Sequence, residues 1–280
     1  MTGTPFTYVR PDSVEQALAL LADDAGEARP LAGGQTLMAA MNLGLASPDR
    51  LVDIGRLEAL RRIERREGHL VVGAAVTQTE LLGWDGLDEA VPLLAASLPL
   101  VGHEQTRNRG TVGGSVAHAD PSAELPLCLV VLGGEIVLAS RARGERSVPA
   151  EDFFTGVLST ARADDELILA LRFPLARSDH RYEFAEVSIR HGDYAIVALA
   201  AVIGPEGAVL GIGGVADRPV RFAVSREADL SAELERIARS LDAGDDVQAT
   251  AVYRRHLVRE LGRRLLSEES ASPSASGATA

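Results

Sequence analysis

The residues with the clearest chemical promise are Arg107-Asn108-Arg109-Gly110-Thr111-Val112-Gly113-Gly114-Ser115-Val116-Ala117-His118-Ala119-Asp120-Pro121. Adjacent glycines, hydroxyls and arginines stand together between apolar runs, a composition suited to backbone that must lie directly against a polyanion. Glycine lacks Cβ, so paired glycines reach positive φ and let successive N–H groups converge on an anion, while Thr111 and Ser115 add hydroxyls. Taken alone, a glycine pair is also what a tight turn uses. The second such segment, Ala32-Gly33-Gly34-Gln35-Thr36-Leu37, follows a strand at 28–32, and Thr36 is placed to cap a helix over 37–43. Two such turns facing one another suit two linked phosphates, and a dinucleotide is the simplest occupant.

Other chemistry fails on context. Gly211-Ile212-Gly213-Gly214-Val215-Ala216 matches a dinucleotide fingerprint, but Asp217-Arg218-Pro219 forbids the helix that must follow. His103-Glu104 begins like a zincin helix, yet Arg107 stands where the second histidine belongs. Gly113 to Ala117 differs from a nucleophile elbow at one residue, and the neighbouring His118, Asp120 and Glu124 crowd one turn instead of gathering from distant loops. Cys128 is the only cysteine and sits in the apolar run 125–132, which makes it a core residue and leaves this chain without thiolates for an iron–sulfur cluster.

The elements that must position the two segments read as an α+β protein. A strand at 6–9 precedes a helix capped by Ser13 with Gln16 three residues on, and strands at 28–32 and 51–54 follow. A hairpin turns at Glu67-Gly68, Thr77-Gln78-Thr79-Glu80 is a second capping box, one helix spans 87–97, another runs from Glu124 to Leu132, and a strand covers 135–139. From Ala176 a second unit has strands at 182–190, 195–203, 209–213 and 219–222, then helices at 232–241 and 247–266. Its tail, 267–280, is rich in Ser and Ala and is expected to be disordered. With 46% hydrophobic and 24% charged residues, 280 residues suffice for two domains. Lys+Arg of 28 against Asp+Glu of 40 gives a net charge of -12 without a basic face, which argues against nucleic acid as a partner. No apolar run is long enough to span a bilayer and the N-terminus has no leader pattern, so a cytoplasmic protein is expected.

Leu31-Ala-Gly-Gly-Gln-Thr-Leu37, Arg107-Asn-Arg-Gly-Thr-Val-Gly-Gly-Ser115 and Ala117-His-Ala-Asp-Pro121, in that order, resemble the FAD-binding medium subunits of the molybdenum hydroxylases, the family of xanthine dehydrogenase and carbon monoxide dehydrogenase. The likeness continues through Asp152-Phe-Phe-Thr-Gly156, Asp165-Glu-Leu-Ile168, Arg190-His-Gly-Asp-Tyr-Ala195 and Arg218-Pro-Val-Arg221, covering residues 5–266. The resemblance implies a PCMH-type FAD-binding fold over 1–175, with subdomains of about 1–56 and 57–175, and a C-terminal domain over 176–266 with a three-stranded antiparallel sheet and helices.

It further implies that FAD is clasped by Ala32, Gly33, Gly34, Gln35, Thr36 and Leu37 on one side and Thr111, Gly113, Gly114 and Ser115 on the other. Glu124 corresponds to an acidic contact to ribose or ribityl hydroxyls, Ile168 and Val101 to apolar positions beside the ring systems, and Tyr194 to an aromatic near the flavin. His118 stands close by as a further contact. No histidine or cysteine lies inside either glycine turn, which favours non-covalent flavin, and Ala185 stands where some relatives carry a lysine. The implied role is electron exit: a large molybdenum–pterin subunit oxidises substrate, a small subunit with two [2Fe–2S] clusters relays electrons, and FAD on this chain passes them to an acceptor, within a dimer of heterotrimers. A free-standing flavin reductase or oxidase, and a scaffold that has lost its cofactor, are the competing possibilities.

Overall fold

The computed structural model describes residues 5–23 and 26–267. Its first unit is a small three-stranded sheet of β1 (Thr7–Val9), β2 (Ala28–Leu31) and β3 (Arg50–Asp53), in the order β1-β3-β2 and parallel throughout. Parallel neighbours need crossovers, supplied by α1 (Val14–Leu21) and α2 (Leu37–Asn42). Pro30 cannot donate to a ladder and accordingly lies on an edge strand. Ser13 caps α1, accepting from the Gln16 N–H, but the Gln16 side chain accepts from the Asp12 N–H (2.9 Å) instead of closing the box at Ser13. Ala17, Leu21, Val52, Ile54, Leu57 and Leu60 form the core of this unit, joined by Ala75 and Leu167 from the next.

The second unit carries the mixed middle of the chain. β4 (Ile63–Arg66) and β5 (His69–Gly73) form the expected hairpin, turning through Glu67 and Gly68 at φ 51° and 77°. The helices α3 (Gln78–Leu82), α4 (Leu87–Ala90), α5 (Pro92–Ser97), α6 (Glu104–Arg107), α7 (Val112–His118) and α8 (Glu124–Leu132) follow. The helix expected over 87–97 is therefore two, because Pro92 has no N–H and starts α5 afresh at its first turn. Then come β6 (Glu135–Ser140), β7 (Gly144–Pro149), α9 (Ala150–Phe153), the short hairpin β8 (Phe154–Gly156) and β9 (Ser159–Thr160), and β10 (Glu166–Pro174). These give a five-stranded antiparallel sheet, β4-β5-β10-β6-β7, in which β10 bulges between Ile168 and Ala170.

The third unit is a four-stranded antiparallel meander, β11 (Arg181–Val187), β12 (Val197–Gly204), β13 (Gly207–Gly213) and β14 (Val220–Ser225), with α10 (Leu230–Ser240) and α11 (Ala251–Leu266). Four strands were legible in the residues; the resemblance implied three. Leu234, Ile237, Val258 and Leu261 of the helices pack on Val197, Leu199, Leu210 and Ile212 of the sheet. The opposite sheet face receives α8, whose residues are buried at eight of nine positions, each large aliphatic side chain contributing about 1.5–3 kcal/mol. That contact explains Gly211, where a Cβ would stand 1.9 Å from Val131 Cγ2. Gly211 of the fingerprint-like run is thus a helix–sheet packing residue, and Gly214 a bend at φ +77°. Of the expected tail only Ser267 is described, as the C-cap of α11; 268–280 lie outside the described residues. Among the described residues no helix is long and apolar enough to cross a membrane.

Candidate functional site

The first glycine segment leaves the end of β2 and enters α2. Gly34 takes φ +72°, a conformation that favours glycine, and so turns the chain as expected. Thr36 does not cap α2: it is already helical at φ -93°, ψ -51°, and its side chain makes no capping bond. A cap residue has to be extended for its hydroxyl to reach back. The N–H groups are thereby left unspent, and among the described residues no hydrogen bond is made by the backbone N–H of Gly33, Gly34, Gln35, Thr36 or Leu37.

The second segment is built differently. It is a helix, α7, and neither Gly113 nor Gly114 has positive φ, so the expected turn is corrected. Thr111 is its N-cap, accepting from the Gly114 N–H at 3.0 Å. Val112 donates to Val76 O (2.9 Å) and Gly113 to Ala74 O (3.1 Å), which ties the start of α7 to the end of β5. Gly113 is required by close approach, since a Cβ there would lie 2.6 Å from Ala74 Cβ and 2.7 Å from Ala74 O. The N–H groups of Gly113, Gly114 and Ser115 are therefore engaged within the protein, and these residues with Thr111 form a wall rather than a second row of backbone donors.

The two segments do meet. A Cβ on Gly33 would stand 2.0 Å from Arg109 O and 3.0 Å from Gly110 Cα, so bare backbone touches bare backbone. Between and beyond them opens one cleft of about 690 Å³, within the range of about 300–1,000 Å³ usual for small-molecule and cofactor sites. All fifteen candidate residues line it: Ala32, Gly33, Gly34, Gln35, Thr36, Leu37, Val101, Thr111, Gly113, Gly114, Ser115, His118, Glu124, Ile168 and Tyr194.

Each remaining candidate owes its place to a different element. Ile168 is buried on β10 just before its bulge, and Val101 is buried in the turn after α5. Glu124 begins α8 and is 4% exposed; loss of water, moderated by its own backbone N–H and reinforced by Glu186 and Asp120, pushes its carboxyl up to about 8. Desolvation likewise raises Glu186 to about 7, and its Oε2 is enclosed without a hydrogen-bond partner. Tyr194 belongs to the loop between β11 and β12, where crowding by the cleft wall, then Asp120 and Glu124, pushes its hydroxyl up to about 12. That loop reaches over the cleft at Gly192, where a Cβ would meet His103 Cε1 at 2.7 Å. His118 Nε2 lies 3.9 Å from Asp120 Oδ2, and no hydrogen bond joins it to Ser115 among the described residues. Cys128 is buried and its thiol is 3.3 Å from Ser97 Oγ, with burial raising it to about 12, as suits a core residue.

Reading from sequence missed several cleft residues. Arg162, which donates to Ala163 O (2.7 Å) and Glu166 O (2.8 Å), Leu158, held at φ +53°, and Gln78, placed by the Thr77 cap, all line it. Only Gln78 had a local signal, its position just inside a capping box.

Comparison with known proteins places the chain in a family. Residues 4–176 match the family described as the FAD binding domain in molybdopterin dehydrogenase. The chain belongs to this family. It is 31% identical to caffeine dehydrogenase subunit beta from a Pseudomonas species over 95% of each chain, and 36% identical to the carbon monoxide dehydrogenase medium chain of Afipia carboxidovorans over 77% of this chain and 76% of that one. Its fold is similar to the crystal structure of quinoline 2-oxidoreductase from Pseudomonas putida, with TM-score 0.88 and 32% identity over 95% of this chain and 97% of the other. It is thus a flavin-binding medium subunit of the molybdenum hydroxylases, an oxidoreductase component whose cofactor is FAD. The unspent N–H groups from Gly33 to Leu37 suit its diphosphate, since backbone donors converging on a bend favour an anion.

Proposed function

We propose that this chain is the cytoplasmic electron-exit subunit of a heteromeric molybdenum hydroxylase, holding FAD between the [2Fe–2S] clusters of a small partner subunit and an external acceptor. A large partner subunit carries the molybdenum–pterin centre, and the assembly is a dimer of heterotrimers. The observation that carries the proposal is the row of five unspent backbone N–H groups in a cleft lined by every residue that the family resemblance singles out. When bound, FAD supplies the step from single-electron to paired-electron transfer; the protein supplies position and electrostatics.

In this reading Gly33 to Leu37 donate to the diphosphate, and the α7 wall presents Ser115 Oγ beside it. Glu124, kept neutral by burial near pH 7, is able to donate as well as accept a hydrogen bond toward the sugar or ribityl hydroxyls. Val101 and Ile168 exclude water beside the ring systems, and Tyr194, half exposed at the mouth, limits access from outside. The domain division proposed with it sets an FAD-binding part at 1–175 against a C-terminal part at 176–266 that contributes the Tyr194 loop.

Purification of the tagged chain from its native host tests the proposal. Molybdenum, iron, flavin and two further chains in constant ratio are the expected result. A flavin-containing chain that purifies alone and oxidises a donor by itself would contradict it and favour a free-standing reductase.

A further inference from the structure

Gln78 opens α3 at the place where the two glycine segments touch. Its backbone N–H donates to Gly110 O at 2.9 Å, and a Cβ on Gly110 would stand 2.9 Å from Gln78 Oε1. Gly33 in turn packs on Arg109 O and Gly110 Cα. Gln78 is only 5% exposed, yet it lines the cleft. Its Oε1 is enclosed with no hydrogen-bond partner, and no protein bond is made by its Nε2 among the described residues.

Its neighbours have no such vacancy: Thr77 and Glu80 close a capping box, and Thr79 Oγ1 donates to Asn108 Oδ1 at 2.8 Å. A buried amide left without partners is costly, and native proteins complete nearly all of them with protein, water or ligand. The two ends of the amide have the same shape, so rotation about the last torsion turns either donor or acceptor toward the cleft.

We propose that Gln78 is a cofactor-binding residue whose side-chain amide N–H donates to a phosphate oxygen of FAD where the two glycine segments meet. The proposal rests on FAD occupying this cleft. It adds a donor on the α7 side, where the backbone N–H groups of Val112, Gly113 and Gly114 are all engaged within the protein. The clasp then has backbone donors from one segment and a side-chain donor from a helix outside both.

The full-length chain, freed of flavin, is titrated with FAD by flavin fluorescence as wild type, Gln78→Leu and Gln78→Glu, alongside thermal melts of each flavin-free protein. Leucine keeps bulk and removes the amide; glutamate replaces a donor with an anion. Gln78→Leu is expected to raise the Kd for FAD about tenfold while melting no lower than wild type, because it deletes a polar group that has no partner in the flavin-free protein. Gln78→Glu is expected to raise Kd further, since its carboxylate repels phosphate. Affinities within about twofold of wild type for both variants overturn the proposal on that scale. So does wild-type affinity in Gln78→Glu beside weak binding in Gln78→Leu, which makes the partner a hydroxyl, or a Gln78→Leu protein that melts well below wild type, which assigns the side chain to holding Gly110. A wild-type chain that takes up no FAD contradicts the underlying function instead.

Discussion

Glu124 shows how a single residue acquires a property that its sequence neighbours do not announce. Its carboxylate chemistry and its match to the family's acidic contact are legible locally, but its desolvation is not. Part of the charge that raises it sits on Glu186, in another unit of the fold. A carboxyl at about 8 in the folded chain, against about 4.3 when unfolded, binds a proton that the unfolded chain has released across that interval. Its contribution to stability is therefore complete below the unfolded value and is lost as pH rises through the folded one; Glu186, at about 7, acts in the same direction. The flavin-free protein is expected to lose stability between about pH 5 and about pH 8, and Glu124→Gln to flatten that slope. Urea melts across this interval measure it, and a slope unchanged by the substitution would show that Glu124 is not the group responsible.

Among the elements, glycine carried the strongest sequence signal and also the most ambiguous. Gly34 bends the chain at φ +72°, Gly113 lets α7 sit on Ala74, and Gly211 lets Val131 of α8 sit on β13. Two physical uses, a left-handed bend and a close approach, share one letter, so the glycine pairs marked segments that meet at one cleft while α7 itself was read as a turn. Capping chemistry was more readable where the hydroxyl's φ and ψ were extended, at Ser13 and Thr77, than at Thr36, where the preceding bend had already turned the chain helical. Gly113→Ala is expected to destabilise the chain by about 1–3 kcal/mol through overpacking against Ala74, because its added carbon points at β5 and not into the cleft. A urea midpoint equal to that of wild type would mean that α7 and β5 separate more readily than this packing allows. For the same reason, loss of FAD from a Gly113 variant reports on the seat of α7 before it reports on phosphate contact.

At the scale of the whole molecule, three cores converge on one cleft. β2 and the Gly33–Leu37 segment come from the first unit, α3, α7, α8 and β10 from the second, and the Tyr194 loop from the third. The order of elements, the meander of the third unit and the two glycine segments that meet at the cleft were legible because each depends on local periodicity, turn chemistry or capping. The cleft's floor at Gln78 and its wall at Arg162 were not, because they are brought there by the Thr77–Thr111 bridge and by the turn leading into β10. The arrangement suits a flavin-binding subunit, with unspent backbone N–H groups gathered in one cleft. The central claim is tested most directly by titrating flavin-free, full-length chain with FAD while following flavin fluorescence and the absorbance of the recovered protein. Saturation at one FAD per chain, with riboflavin binding far more weakly because it lacks the diphosphate, is the predicted result. No retained flavin at saturating FAD, or equal affinity for riboflavin, would contradict it.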